Sequence, residues 1–165
     1  MRWLVKGLLF IFYFKKIQMY HSKILLVEDS SSDVELTKRA FIKAGIANPL
    51  VVAKDGKEAL DYLFAAGKFE GQQPEDLPVL VLLDLKLPVI DGLEVLQRIR
   101  ENPVTKGLVV VILSTSVEQQ DIARAYNLGV NSFIRKPVDF NEFTVAIKQL
   151  CSYWLLLNQT VRVHL

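Results

Sequence analysis

Val79-Leu80-Val81-Leu82-Leu83-Asp84-Leu85-Lys86-Leu87-Pro88-Val89-Ile90-Asp91-Gly92 is the stretch on which the fold turns. Its first five residues form an unbroken apolar run, too short for a helix and without the alternation of a half-exposed strand. A strand covered on both faces, as in a parallel sheet, has this signature. It is the most apolar run of its kind in the chain and reads as the centre of the sheet, ending at an aspartate. A helix is expected from Gly92 to Arg100.

The same alternation continues to either side. Toward the N-terminus, Ile24–Val27 reads as a strand that ends in acidic and serine residues. Ser30 or Ser31 can cap the next helix, which carries an apolar stripe of Val34, Leu36, Ala40, Phe41 and Ala44 and is closed by Gly45. Leu50–Ala53 is a second strand, Gly56–Ala66 a helix, and Gly67–Pro78 a loop. Toward the C-terminus follow a strand over Leu108–Leu113, a helix over Gln119–Leu128 closed by Gly129, a short strand over Ser132–Ile134, and a long helix from Asp139 to about Leu157. Five strands alternating with five helices predict the α/β class: a doubly wound five-stranded parallel sheet with helices on both faces.

Composition bounds the rest. The 165 residues suit one domain. Twenty Lys and Arg against eighteen Asp and Glu give a formal charge of +2, too balanced to argue for nucleic acid. A single cysteine, Cys151, cannot close an intramolecular disulfide; it points to a reducing, cytoplasmic setting and reads as packed. The domain is expected over 19–157, with a tail over 158–165. Residues 1–18 carry the apolar run Gly7–Phe14 between Lys6 and Lys15-Lys16. A membrane-spanning helix needs about 20 apolar residues, and no small-residue cleavage site follows. The run reads either as a membrane-surface anchor or, the preferred reading, as an extension outside the fold.

Ligands in such sheets bind beyond the carboxyl ends of the strands, where strand order reverses. The first strand ends in Glu28-Asp29, the third in Asp84, the fourth in Ser114-Thr115-Ser116, and the fifth is followed by Lys136-Pro137. Clustered carboxylates repel one another, by about 4 kcal/mol for a pair 4 Å apart at intermediate dielectric. A divalent cation makes them tolerable, and all-oxygen ligation with open water positions suits Mg²⁺. A metal and an ammonium neutralise a transferring phosphoryl group, a hydroxyl donates to its oxygens, and Asp84 is the nucleophile able to form an acyl phosphate.

These segments resemble the response-regulator receiver family over roughly residues 23–150. Ile24-Leu25-Leu26-Val27-Glu28-Asp29 is similar to its first strand and acidic pair, and Leu83–Gly92 to its phosphoacceptor segment. Ser114 lies 30 residues after Asp84, and Lys136 lies 22 further on, both intervals as in the family. The resemblance implies a (βα)5 flavodoxin-like fold and phosphorylation of Asp84 by a histidine kinase. It also implies Mg²⁺ held by Glu28, Asp29, Asp84 and the Lys86 backbone carbonyl. Ser114 would contact the phosphoryl group, Lys136 would pair with it, and the bond before Pro137 would often be cis. Phe133 stands at the aromatic switch position without a hydroxyl, and Ser114 stands where threonine is commoner. The longer segment around Phe69–Leu77, with Leu113–Ser116 and the late Tyr153-Trp154-Leu155, resembles the small single-domain regulators paired with cyanobacterial phytochromes. That subgroup implies a homodimer through the C-terminal half. Phe143, Ile147, Leu150, Trp154 and Leu157 make a longer apolar stripe than one sheet is expected to need, although Trp154 is equally readable as core.

Two rivals are weaker. A haloacid-dehalogenase-type phosphatase needs a second aspartate two residues after the nucleophile as general acid, and Lys86 stands there. A phosphorylation-independent pseudo-receiver usually lacks one of the acidic pair, the nucleophile or the lysine, and none is missing. The protein is expected to catalyse only its own phosphotransfer and dephosphorylation. Nothing after Leu150 is long enough for a DNA-binding helix-turn-helix.

Overall fold

The computed structural model describes residues 22–73, 76–116 and 118–158. The apolar extension over 1–18, and the 158–165 tail apart from Asn158, lie outside the described residues. Strands β1 (Ile24–Val27), β2 (Leu50–Ala53), β3 (Leu80–Leu83), β4 (Val110–Ser114) and β5 (Ser132–Arg135) alternate with five helices. These are α1 (Ser31–Ala44), α2 (Gly56–Leu63), α3 (Gly92–Glu101), α4 (Gln119–Asn127) and α5 (Phe140–Cys151). The strands make one parallel sheet in the order β2-β1-β3-β4-β5. β3 is the middle strand, as its sequence predicts. The chain moves outward from β1 to β2 and then crosses back to β3, so the strand order reverses between β1 and β3.

Burial explains the strand sequences. Every residue of β1, β3 and β4 is buried, hence their unbroken apolar runs. The edge strands β2 and β5 are half-buried for most of their length, and β5 accommodates Ser132 and Arg135. Alternate side chains serve opposite faces. Leu25, Val27, Val81 and Leu83 pack with residues of α2, α3 and α4, whereas Ile24, Leu26, Leu80 and Leu82 pack with residues of α1 and α5. Ser30 caps α1, its hydroxyl accepting from the Asp33 N–H, and Gly45 ends that helix at φ 72°, where a side chain would be strained.

Several expectations change in detail. The second helix stops at Leu63, and a 3₁₀ turn at Gly67–Phe69 begins the long connection to β3. Phe69 meets Tyr62 edge-on with ring centroids 5.2 Å apart, giving that connection an apolar anchor. The last helix is α-helical only to Cys151 and continues as a π-helical segment, Ser152–Leu157. Phe143, Ile147 and Leu150 are not surplus: all three are buried against the chain's own sheet. Among the described residues that face is covered mainly by α1 and α5, so the whole α5 stripe is needed. The π-helical turn shifts the phase of the stripe, so Leu155 is buried, Trp154 is half-buried against the same core, and Leu156 and Leu157 are exposed.

Cys151 is packed as expected, and burial pushes its thiol pKa up to about 12. The Lys136–Pro137 bond is trans, against the cis expectation, since no cis peptide occurs among the described residues. Trans is the lower-energy isomer of an X–Pro bond by about 0.5–1 kcal/mol. No helix among the described residues is long and apolar enough to cross a membrane.

Candidate functional site

Backbone bonds that run one residue past the strands place the polar side chains. The Glu28 N–H donates to the Ala53 carbonyl (3.0 Å), the Asp84 N–H to Val27 (3.1 Å), and the Lys136 N–H to Ser114 (2.9 Å). These residues therefore belong to the sheet's rigid carboxyl edge, at the point where strand order reverses.

One oxygen each from Glu28, Asp29 and Asp84 lie within 4.8 Å of one another. Lys136 reaches over them from beyond β5. Its ammonium donates to Glu28 Oε2, to Asp33 Oδ2 at 3.1 Å and to Asp84 Oδ2 at 3.3 Å. The Lys136, Glu28 and Asp84 side chains are only 11%, 2% and 12% exposed, so these charges act on one another with little screening. Burial raises the Glu28 pKa above the usual carboxylate value and Asp84 adds to the rise, while the bond and charge of Lys136 and the Ser30 N–H oppose it. For Lys136, burial pulls the pKa down, but the bond to Glu28, the charges of Asp84 and Glu28 and the bond to Asp33 outweigh it, and the net shift is upward. The ammonium is charged at neutral pH.

The donor set fits a small hard cation. Opposite ligands of an octahedral Mg²⁺ lie about 4.2 Å apart, so small side-chain shifts would bring the three oxygens onto one ion. Asp29 is exposed, which leaves the outer positions to water.

Asp84 is oriented by its own loop. Its Oδ1 accepts from the Leu85 N–H (2.6 Å) and, at the limit of a bond, from the Lys86 N–H (3.4 Å), leaving Oδ2 toward Lys136. The Lys86 ammonium leans toward Asp121 Oδ2 (3.9 Å) on α4. Ser114 ends β4 fully buried, and its hydroxyl oxygen accepts from the Ser116 N–H (3.1 Å). Ser116 in turn donates to Asp121 Oδ2 (3.0 Å), which ties the β4–α4 loop to α4. Phe133 is half-buried against the core on the α2–α4 face.

Asp33, in the first turn of α1, escaped sequence reasoning because a helix-start acid ordinarily serves only the helix dipole. Its signal was its place one helical turn beyond the acidic pair.

The profile of the response regulator receiver domain matches residues 24–148. The chain belongs to the receiver family. Among its relatives, the probable methanogenesis regulatory protein FilR2 of Methanothrix harundinacea is 39% identical over 137 residues, 83% of this chain and 86% of that protein. Response regulator Rcp1 of Synechocystis is 36% identical over 132 residues, covering 80% and 88%. A crystal structure of the Mn²⁺-bound form of Rcp1 superposes with TM-score 0.77 at 34% identity, over 86% of this chain and 99% of that one. The phosphorylated cyanobacterial phytochrome response regulator RcpA superposes with TM-score 0.79 at 36% identity, with the same coverage. This receiver is thus a response regulator of the two-component type, homologous to phytochrome-associated regulators. Receiver domains interact with histidine kinases and bind divalent cations in an acidic pocket.

Proposed function

We propose that this receiver takes a phosphoryl group from a phosphohistidine of its kinase onto Asp84. The observation that carries the reading is the placement of the Asp84 carboxylate 3.3 Å from the Lys136 ammonium and within 4.8 Å of Glu28 and Asp29. In the transfer, a carboxylate oxygen of Asp84 attacks phosphorus, the phosphorus–nitrogen bond breaks, and the imidazole leaves with its electron pair. An acyl phosphate remains. Glu28, Asp29, Asp84 and the Lys86 carbonyl would hold Mg²⁺, which supplies neutralisation of the phosphoryl oxygens. Lys136, already at Asp84 Oδ2, pairs with the phosphoryl group. Ser114 exchanges its bond with Ser116 for one to a phosphoryl oxygen, and Phe133 turns further into the core as that loop moves. The likeness to RcpA, described as a cyanobacterial phytochrome response regulator, supports a phytochrome-type kinase as donor.

The output proposed is dimerisation through the C-terminal half. Its support is the apolar surface left once α5 has covered the sheet: Val145, Tyr153, Leu156 and Leu157 are 54%, 51%, 50% and 69% exposed, with Tyr126 of α4 at 52%. An exposed patch of this kind marks an interface, and two-fold pairing is the commonest way to bury it.

The decisive experiment treats wild type and Asp84→Asn with acetyl phosphate and Mg²⁺ and weighs both. A single phosphate adduct is expected on wild type, none on the variant, and none in excess chelator. An adduct on the Asn variant refutes the assignment of Asp84. No adduct on wild type favours a pseudo-receiver that binds without phosphate.

A further inference from the structure

Asp33 opens α1 in the pattern Ser30-Ser31-Ser32-Asp33. An acid at this position of a capping box ordinarily reaches back to the N–H of the capping serine. Here the Ser30 N–H donates instead to Glu28 Oε1 at 3.1 Å, and the Asp33 carboxylate is turned to Lys136. Its contact with the ammonium, 3.1 Å, is slightly shorter than that of Asp84, 3.3 Å. The two lengths together put Asp33 Oδ2 no more than 6.4 Å from Asp84 Oδ2. Asp33 is not one of the three acids whose oxygens cluster for a cation. Among the described residues its ion-pair partner is Lys136.

We propose that Asp33 is a positioning residue that competes with the phosphoryl group for Lys136 and so sets how readily the phosphorylated arrangement forms. The inference rests on the reading of Asp84 as phosphoacceptor. Phosphorylation turns a carboxylate of charge −1 into an acyl phosphate of about −2. One ammonium then faces three anionic claimants, Glu28, Asp33 and the phosphoryl oxygens. Every bond Lys136 keeps to Asp33 is withheld from the phosphoryl group, and the Asp33 carboxylate also repels the added charge. Removing the Asp33 charge frees Lys136 for the phosphoryl group. The side chain is 38% exposed, so solvent and salt moderate the effect without abolishing it.

The test titrates beryllofluoride, a phosphoryl analogue, with Mg²⁺ into the full chain by calorimetry. The proteins are wild type, Asp33→Asn, Asp33→Glu, Lys136→Met and the Asp33→Asn/Lys136→Met double variant, each confirmed as folded by urea titration. Asp33→Asn is expected to tighten binding about three- to tenfold at low ionic strength and less at high salt, with Asp33→Glu near wild type. In the Lys136→Met background the gain should fall to less than half, because no ammonium remains to compete for. Failure of wild type to bind the analogue overturns the phosphoacceptor reading, and this inference with it. Binding by wild type with no gain in Asp33→Asn, or an equal gain without Lys136, overturns the role of Asp33 alone.

Discussion

Neutralising Asp84 as Asn should stabilise the metal-free protein, although it removes the proposed reactive group. At an effective dielectric of about 20, charges no more than 4.8 Å apart repel by at least about 3.5 kcal/mol. Asp84 faces two such neighbours, Glu28 and Asp29. Against them stands Lys136 at 3.3 Å, worth about 5 kcal/mol of attraction at the same dielectric. That ammonium is shared with Glu28 and Asp33. These three charges leave Asp84 repelled by about 2 kcal/mol; screening at the exposed Asp29 reduces that to about 1 kcal/mol, and the partly exposed Asp33 adds to the repulsion. Asn keeps an oxygen to accept the short bond from the Leu85 N–H, so little else is lost. Urea unfolding in chelator should place Asp84→Asn about 1 kcal/mol above wild type. Millimolar Mg²⁺ should stabilise wild type more and shrink or invert the gap, because a ligand stabilises only the state that binds it. A variant less stable than wild type in chelator, or equal stabilisation of both by Mg²⁺, would refute the reasoning.

Further outcomes follow from the same geometry. Gly92→Ala would put a Cβ 2.2 Å from the Asp84 carbonyl and 2.7 Å from Leu85 Cα, forcing the backbone of the Asp84 loop to move. A loss of about 1–3 kcal/mol in urea unfolding is expected, together with weaker beryllofluoride binding; unchanged binding would separate that loop from the site. Lys136→Ala should still gain phosphate from acetyl phosphate but show no phosphate-dependent dimerisation by sedimentation, and a shift like that of wild type would remove its signalling role. Burial raises the Cys151 thiol from 9.0 to about 12, so the folded state holds the proton more tightly than the unfolded chain. That stabilisation is complete below pH 9 and is lost as pH climbs toward 12, at on the order of 1.4 kcal/mol per pH unit. Cys151→Val should lack this contribution to the alkaline slope of stability, and an identical slope would show that the thiol does not titrate there.

The alternation of five apolar runs with five helices was legible from the chain, because a strand buried on both faces cannot alternate and β1, β3 and β4 are buried throughout. The polar residues at the strand ends were legible for the same reason. Once Val27 and Leu83 end their runs, Glu28, Asp29 and Asp84 have nowhere to stand but the carboxyl edge of adjacent strands. Lys136 follows β5 by the same logic. What the chain alone did not disclose are the consequences of packing between distant segments. Asp33 is 103 residues from Lys136, and its own helix gives it an ordinary capping role until the fold carries the ammonium to it. The apolar length of the last helix looked like surplus because sequence periodicity counts apolar residues without counting the sheet area they must cover. With α1 and α5 the main cover of that face among the described residues, Phe143, Ile147 and Leu150 are all taken up by the chain's own core. Of the residues left exposed, Tyr153, Leu156 and Leu157 come from the π-helical turn after Cys151, a change of phase that no local propensity marks. Strand order and edge chemistry follow from local hydrophobic pattern. Charge partners and exposed faces are set by which elements meet, and that is a property of the folded chain.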